Sequence, residues 1–211
     1  MTGMRLIATA VATLGVTATT FAATPSKPAT PFTRQANQQV LQELPFSDRQ
    51  DFEDAQRGLI AREDVVTIKD AKGNVVWDLE RYKKYIGLDK ASPDTVNPSL
   101  WRNAQLSLLN GLFKVTDRIY QVRGYDLSNI TFVQGDTGWI VFDPLISPET
   151  ARAGLDLINR QLGTRPVVAV VYSHSHVDHY GGVRGIVDAA EVAAGKVQIL
   201  APEHFTEHAV S

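Results

Sequence analysis

The residues with the clearest chemical potential are three histidines and an aspartate within six consecutive positions. They occupy the run His174-Ser175-His176-Val177-Asp178-His179, which holds three of the five histidines of the chain. His174 and His176 are two positions apart, so in extended backbone both project to the same side and can hold one metal ion as a pair. Asp178 and His179 follow where the chain begins to turn, so they can face a second ion nearby.

These residue types indicate zinc chemistry. Neutral imidazole and carboxylate bind Zn²⁺ at about 2.0–2.2 Å. Because the chain has no cysteine, a metal must be held by His, Asp or Glu, which suits catalytic zinc better than structural zinc. Two ions about 3.5–4 Å apart can share a water molecule and lower its pKa toward neutrality. We therefore predict a dinuclear hydrolytic site, with Asp178 binding the second ion and orienting the attacking hydroxide. The alternative is a solvated loop with histidines at this spacing by chance.

The elements around this run predict how it is positioned. The continuous apolar run from Val167 to Tyr172 predicts a strand buried on both faces, which delivers the histidines to a sheet edge. Gly181-Gly182 then allows a sharp turn and a close backbone approach. Pro148 to Gly163 predicts an amphipathic helix that Ser147 caps. The remaining predicted elements are four strands of a β-meander at 112–115, 119–123, 130–134 and 139–142, a helix at 184–194 and a strand at 197–200.

This alternation of strands and helices predicts an α/β (α+β) fold. We divide the chain into residues 1–23 as a signal peptide, 24–43 as a flexible lead-in, 44–110 as an extension with a hairpin and helices, and 111–211 as the domain that carries the histidines. Residues 34–62 are also expected to include a helix. A net charge of −2 gives no positive field toward nucleic acid, so no nucleic-acid partner is expected.

The N-terminal residues predict export. Arg5 precedes an uncharged stretch from Leu6 to Phe21, and Ala22-Ala23 offers small residues to a signal peptidase. The alternative is a membrane anchor, but the stretch is short and threonine-rich for a span of about 20 strongly apolar residues. We expect a cleaved signal peptide, a periplasmic or secreted protein, and no stable membrane anchor.

The segment Ser173–His179 resembles the signature of the metallo-β-lactamase superfamily. That resemblance implies an αββα sandwich with a dinuclear zinc site at its edge, of which this chain would form the N-terminal half only. The segment Trp139–Pro144 resembles an earlier strand-Asp motif of the superfamily, which implies that Asp143 supports the site loop. The alternative for Asp143 is a plain turn residue at the end of a strand.

Three further segments resemble the alkyl sulfatases of that superfamily: residues 96–102, 119–129 and 180–185. This implies hydrolysis of an alkyl sulfate to alcohol and inorganic sulfate by a zinc-activated water, with two Zn²⁺ per complete site and a homodimeric full-length protein. His174, His176, Asp178 and His179 match the first ligands of the family. Its other ligands, two glutamates and a histidine, would lie beyond Ser211, so we expect a truncated chain that is inactive alone.

Two other functions remain open from the sequence. One is another hydrolase of the same fold, acting on a lactam, thioester or lactone, and the other is an inactive metal-binding remnant. Arg184 follows the metal loop and is a candidate for binding sulfate, against the alternative of a solvated arginine. His204 and His208 match a zinc-protease pattern, but only three residues remain for a third ligand, so we expect ordinary surface or supporting histidines.

Overall fold

The computed structural model describes residues 27–64 and 66–211, so the predicted signal peptide lies outside the described residues. The strands are β1 (Leu59–Ala61), β2 (Thr67–Lys69), β3 (Val75–Asp78), β4 (Gly111–Thr116), β5 (Ile119–Arg123), β6 (Ile130–Gln134), β7 (Trp139–Phe142), β8 (Val167–Val171) and β9 (Gln198–Leu200). The helices are α1 (Pro31–Glu43), α2 (Gln50–Gln56), α3 (Leu79–Tyr85), α4 (Pro98–Ser107), α5 (Pro148–Leu162), α6 (Ala189–Ala193) and α7 (Phe205–Val210). Short 3-10 turns cover Val177–His179 and Val183–Gly185.

A seven-stranded mixed sheet organises the chain, in the order β1-β4-β5-β6-β7-β8-β9. Neighbouring strands from β1 to β7 are antiparallel, whereas β7 with β8 and β8 with β9 are parallel. Helix α5 connects β7 to β8, as a crossover between parallel strands requires. The predicted meander and the α/β (α+β) fold are therefore confirmed.

Helix α5 covers one face of this sheet and forms the main core with it. Ser147 caps the helix by accepting a hydrogen bond from the Thr150 backbone N–H, and Gly163 ends it at φ 90°. Burying large apolar side chains contributes about 1.5–3 kcal/mol for each one. The core side chains of the helix and the strands include Ala151, Leu155, Ile158, Val122, Ile130, Phe132, Val141 and Val170.

The opposite face of the sheet is partly open. Phe142 pairs in register with Val171, and Val171 with Leu200, so these side chains share the face away from α5. Phe142 is 36 % exposed and Leu200 is 46 % exposed. Helix α5 and the seven-stranded sheet thus form two layers, which is half of the four-layer sandwich that the resemblance implies, and the separate two-stranded sheet of β2 and β3 contacts α5.

Helix α1 corrects part of the predicted lead-in. The prolines of residues 24–31 indicated flexible chain up to residue 43, but a helix covers Pro31–Glu43. Thr30 caps it by accepting from the Thr33 N–H, and Pro31 suits the first helical position. This helix overlaps residues 34–62, where a helix was also expected. The remaining domain boundaries stay predictions.

Two other elements differ from the prediction. The unpredicted strand β1 pairs with β4, so the large sheet already begins within the extension. The helix expected over residues 184–194 is divided into the 3-10 turn Val183–Gly185 and the short α6, which Asp188 caps through the Ala190 N–H. Among residues 27–64 and 66–211, no helix has the length and apolar content needed to cross a bilayer.

Candidate metal centre

The candidate site lies where two parallel strands end side by side. Phe142 of β7 is in register with Val171 of β8, so the residues after both strands meet at the same sheet edge. Asp143 follows β7, and residues 173–182, which we call the histidine loop, follow β8. The sequence therefore brings the carboxylate and the histidines together through strand pairing.

Asp143 holds the histidine loop by three hydrogen bonds. Its Oδ1 accepts from the Ser173 backbone N–H at 2.7 Å, and its Oδ2 accepts from Ser173 Oγ at 2.7 Å. The Nδ1 of His179 lies 2.9 Å from the same Oδ2. A neutral ring that donates from Nδ1 leaves Nε2 as its free acceptor, which is how carboxylates orient metal-binding imidazoles. Asp143 adopts φ 55°, a left-handed conformation that aspartate tolerates better than most residues.

The three imidazoles of the loop lie close together. The ring centroids of His174 and His179 are 4.1 Å apart, and those of His174 and His176 are 4.6 Å apart. Asp178 Oδ2 lies 3.3 Å from His179 Nε2. The Nδ1 of His174 lies 2.8 Å from Ser173 Oγ, so Ser173 links this ring to Asp143. All four predicted ligands are therefore neighbours in one loop.

The donor chemistry fits zinc, but the described residues do not form a finished cage. Within residues 27–64 and 66–211, no three His, Asp, Glu or Cys side chains already converge so that they could hold an ion. His174 and His179 nevertheless have Nδ1 engaged by neighbours, which directs Nε2 of His174 to a metal and leaves Nε2 of His179 beside Asp178 Oδ2, its proposed fellow ligand. A catalytic zinc usually has three protein ligands, so a dinuclear site needs more groups than these four residues supply.

The glycines of the loop pack directly against backbone. A Cβ added to Gly182 would lie 2.1 Å from the Pro144 carbonyl oxygen, and one added to Gly181 would lie 2.4 Å from the Ile146 oxygen. Gly182 also donates its N–H to the Leu145 carbonyl at 2.9 Å. The predicted close backbone approach is present, and it fixes the histidine loop on the segment that follows Asp143.

Two residues that the sequence did not single out also contact this region. Asp126 is buried, and its Oδ2 accepts hydrogen bonds from the Ile146 N–H and from Thr150 Oγ1. Ser128 Oγ donates to the carbonyl oxygen of Asp178. In the sequence, both residues lie in a run between two strands that resembles the alkyl sulfatases. No spacing rule connects this run to Asp178, so the sequence did not predict the contact.

The other candidate side chains lie apart from this cluster. Arg184 is exposed in the turn Val183–Gly185, and among the described residues no ion pair joins it to the histidine loop. His204 and His208 are also exposed, and His204 Nδ1 lies 2.9 Å from Glu207 Oε2. Their position agrees with the prediction of ordinary surface histidines.

An aromatic cluster packs α7 beside the histidine loop. The ring of Tyr180 lies 5.8 Å from that of Tyr172 and 5.2 Å from that of Phe205. Burial raises the pKa of the Tyr172 phenol, and the neighbouring Tyr180 raises it further. Tyr172 therefore stays protonated at neutral pH and contributes packing to this edge of the sheet.

Comparison with known proteins agrees with this geometry. Residues 123–211 match the sequence model of the metallo-beta-lactamase superfamily. The chain is 55 % identical over 200 residues to a linear primary-alkylsulfatase of Pseudomonas sp., an alignment that covers 95 % of this chain and 30 % of that protein. It is 50 % identical over 187 residues to the alkyl/aryl-sulfatase BDS1 of Saccharomyces cerevisiae, covering 88 % of this chain and 28 % of that protein.

The solved structures give the same result. The stereoselective inverting sec-alkylsulfatase Pisa1 from Pseudomonas sp. matches with a TM-score of 0.81 and 54 % identity, over 88 % of this chain and 29 % of that one. The chain thus spans about 30 % of the length of the relatives it matches. By this sequence and structural similarity, residues 123–211 match the metallo-beta-lactamase superfamily, and most of the chain is similar to a part of the alkylsulfatases.

Proposed function

We propose that the complete protein hydrolyses alkyl sulfate esters to an alcohol and inorganic sulfate in a zinc-dependent reaction. The observation that carries this proposal is the extent of the similarity to alkylsulfatases. Identity of 50–55 % covers 88–95 % of the chain, so it includes the extension as well as the histidine loop. Similarity confined to the loop would favour the fold alone, and hence the lactam, thioester or lactone alternative.

The roles proposed for the site residues are those that their spacing and the resemblance imply. His174 and His176 would hold one ion, and Asp178 and His179 would hold the second. A bound Zn²⁺ lowers the pKa of a water ligand to about 7 and polarises an ester oxygen. Asp143 keeps His179 oriented through the 2.9 Å contact with Nδ1. Asp178 would in addition orient the attacking water.

Further features of the complete protein are part of the proposal. We infer that the remaining metal ligands lie outside this chain, since it spans about 30 % of its relatives, and that residues 1–211 alone are inactive. Residues 1–23 would direct export to the periplasm or the medium, where a detergent-like alkyl sulfate is encountered. The complete protein would act as a homodimer and without nucleic acid.

The test measures sulfate released from dodecyl sulfate by the complete gene product. Release should stop after removal of metal by a chelator, return with added zinc, and be lost in His176→Ala. His208→Ala removes an exposed imidazole outside the loop and serves as the matched control. Residues 1–211 alone should release no sulfate.

Other outcomes favour the alternatives. Hydrolysis of the lactam nitrocefin without sulfate release would contradict the proposal and favour a different hydrolase of this fold. Absence of both activities in the zinc-loaded complete product would favour a metal-binding remnant.

A further inference from the structure

The loop between β5 and β6, residues 124–129, lies at the same sheet edge as the histidine loop. Strand β6 is antiparallel to β7, so β6 begins at the edge where β7 and β8 end. The geometry points to a positioning role for this β5–β6 loop: we propose that Ser128 fixes the backbone of Asp178 and that Asp126 anchors the loop carrying Ser128. This inference rests on the proposed function and adds two residues to that site.

Asp126 is the anchor of the β5–β6 loop. Its side chain is buried, with the residue 5 % exposed, and a buried carboxylate is costly unless it is hydrogen-bonded. Three donors meet this need: the Leu127 N–H at 2.6 Å, the Ile146 N–H at 3.1 Å and the Thr150 hydroxyl. Thr150 is itself 1 % exposed and belongs to the first turn of α5. Asp126 therefore ties the loop to the start of α5 and to the segment after Asp143.

Ser128 connects this anchored loop to the histidine loop. Its hydroxyl donates to the carbonyl oxygen of Asp178, which lies in the 3-10 turn Val177–His179. The same turn is held from another direction by Asp143, through the ring of His179. The turn is thus fixed at two points, one on its backbone and one on a side chain.

This arrangement makes Ser128 a positioning residue. Its hydroxyl contacts the backbone of Asp178 and not the carboxylate, so it affects where that carboxylate lies more than its charge. Hydrogen-bonding partners that orient metal ligands typically change metal affinity about 10–100-fold when they are removed. Loss of the Ser128 hydroxyl should therefore weaken zinc binding without altering a ligand.

Three substitutions at Ser128 in the complete gene product separate the hydrogen bond from packing. Ser128→Thr keeps the hydroxyl, Ser128→Val has the shape of threonine without it, and Ser128→Ala removes it with little loss of volume. We expect the valine and alanine variants to bind zinc about tenfold more weakly, by competition with a chromophoric chelator. Their kcat for sulfate release should fall about tenfold while KM stays within about twofold. The threonine variant should stay close to wild type in both measurements.

Two results would overturn the inference. One is wild-type zinc affinity in the valine and alanine variants. The other is an equal loss of zinc affinity in the threonine and valine variants, which would indicate that packing alone is the cause. Asp126→Asn, which replaces one acceptor oxygen by an NH₂ group, should weaken zinc binding to a similar extent, and wild-type affinity there would contradict the anchoring role. If the wild type binds zinc but releases no sulfate, the proposed function fails, whereas the affinity series still decides the role of Ser128.

Discussion

Replacing Gly182 with alanine should displace the histidine loop from the segment that follows Asp143. The added Cβ would lie 2.1 Å from the Pro144 oxygen, 2.5 Å from the Ser147 oxygen and 2.9 Å from the Ala151 Cβ. Gly182 has φ −82°, which alanine adopts without strain, so the whole effect of the substitution is steric. Two of the three opposing atoms are backbone atoms, and these cannot move aside by a change of rotamer.

The size of the displacement follows from these distances. Real Cβ atoms essentially never approach another heavy atom closer than 3.0 Å, so the two backbones must separate by about 1 Å. Overpacking of this kind costs about 1–3 kcal/mol of unfolding free energy. A misplacement of about 1 Å in a catalytic group can cost about 100-fold in rate. We therefore expect Gly182→Ala to lose about 10–100-fold in zinc affinity and about 100-fold in kcat.

The assay compares Gly182→Ala with Gly195→Ala in the complete gene product. Gly195 has φ 71° and no atom within 4 Å of an added Cβ, so alanine there strains the backbone by about 1 kcal/mol without pushing on the loop. Urea unfolding should show a stability loss in both variants, while chelator competition shows weaker zinc binding in Gly182→Ala only. Wild-type zinc affinity in Gly182→Ala, or an equal affinity loss in both variants, would refute the steric reasoning.

Two further substitutions test the supporting contacts. Asp143→Asn should weaken zinc binding about 10–100-fold, because an amide has one acceptor oxygen and cannot accept both from the Ser173 N–H at Oδ1 and from His179 Nδ1 at Oδ2. Unchanged affinity by calorimetry would contradict this, and the exposed Asp136→Asn is the control. The hydrogen bond and charge of Arg102 lower the pKa of the Asp51 carboxyl. The stabilisation by this pair is therefore complete above the pKa of about 3.9 in the unfolded chain. It is lost as the pH falls through the lower pKa of Asp51 in the folded protein. Asp51→Asn should therefore lower the unfolding free energy by about 1 kcal/mol at neutral pH, with a smaller difference below about pH 4 in urea unfolding, and a difference independent of pH would show that charge is not the cause.

Local patterns predicted the central part of the fold. Helix α5, which covers the sheet, was predicted from signals within one short segment. These signals are its apolar spacing, the Ser147 cap and the terminating Gly163. Strand β1 was missed because its three residues pair with β4 about fifty residues later, and a short run carries little signal of such a distant partner. Gly111 takes part in that pairing: a Cβ there would lie 2.4 Å from the Ala61 oxygen.

Helix α1 was predicted only in part, for a different reason. None of its residues is buried, so it has no apolar face for a periodic pattern to reveal. It contacts the rest of the chain through polar groups, such as the 2.9 Å ion pair between Arg34 and Asp94. The prolines before it indicated a flexible segment, although Pro31 itself suits the first position of a helix.

The candidate site was predictable as far as its residues are adjacent in sequence. The spacing of His174, His176, Asp178 and His179 indicated a metal-binding loop, and the structure places these side chains together. Their contact with Asp143 depends on the parallel pairing of β7 and β8. The hydrogen bond from Ser128 joins its side chain to a backbone oxygen fifty positions away. Such a contact places no requirement on the type of the accepting residue, so the sequence pattern does not indicate it.

The most direct measurement of the central claim is the zinc content of the complete gene product, determined in the same samples as sulfate release from dodecyl sulfate. We predict about two zinc ions per wild-type chain, with fewer ions and at least about a 100-fold loss of turnover in Asp178→Ala. A wild-type protein that releases sulfate with no divalent ion bound at stoichiometric level, or an Asp178→Ala protein with full turnover, would contradict the account.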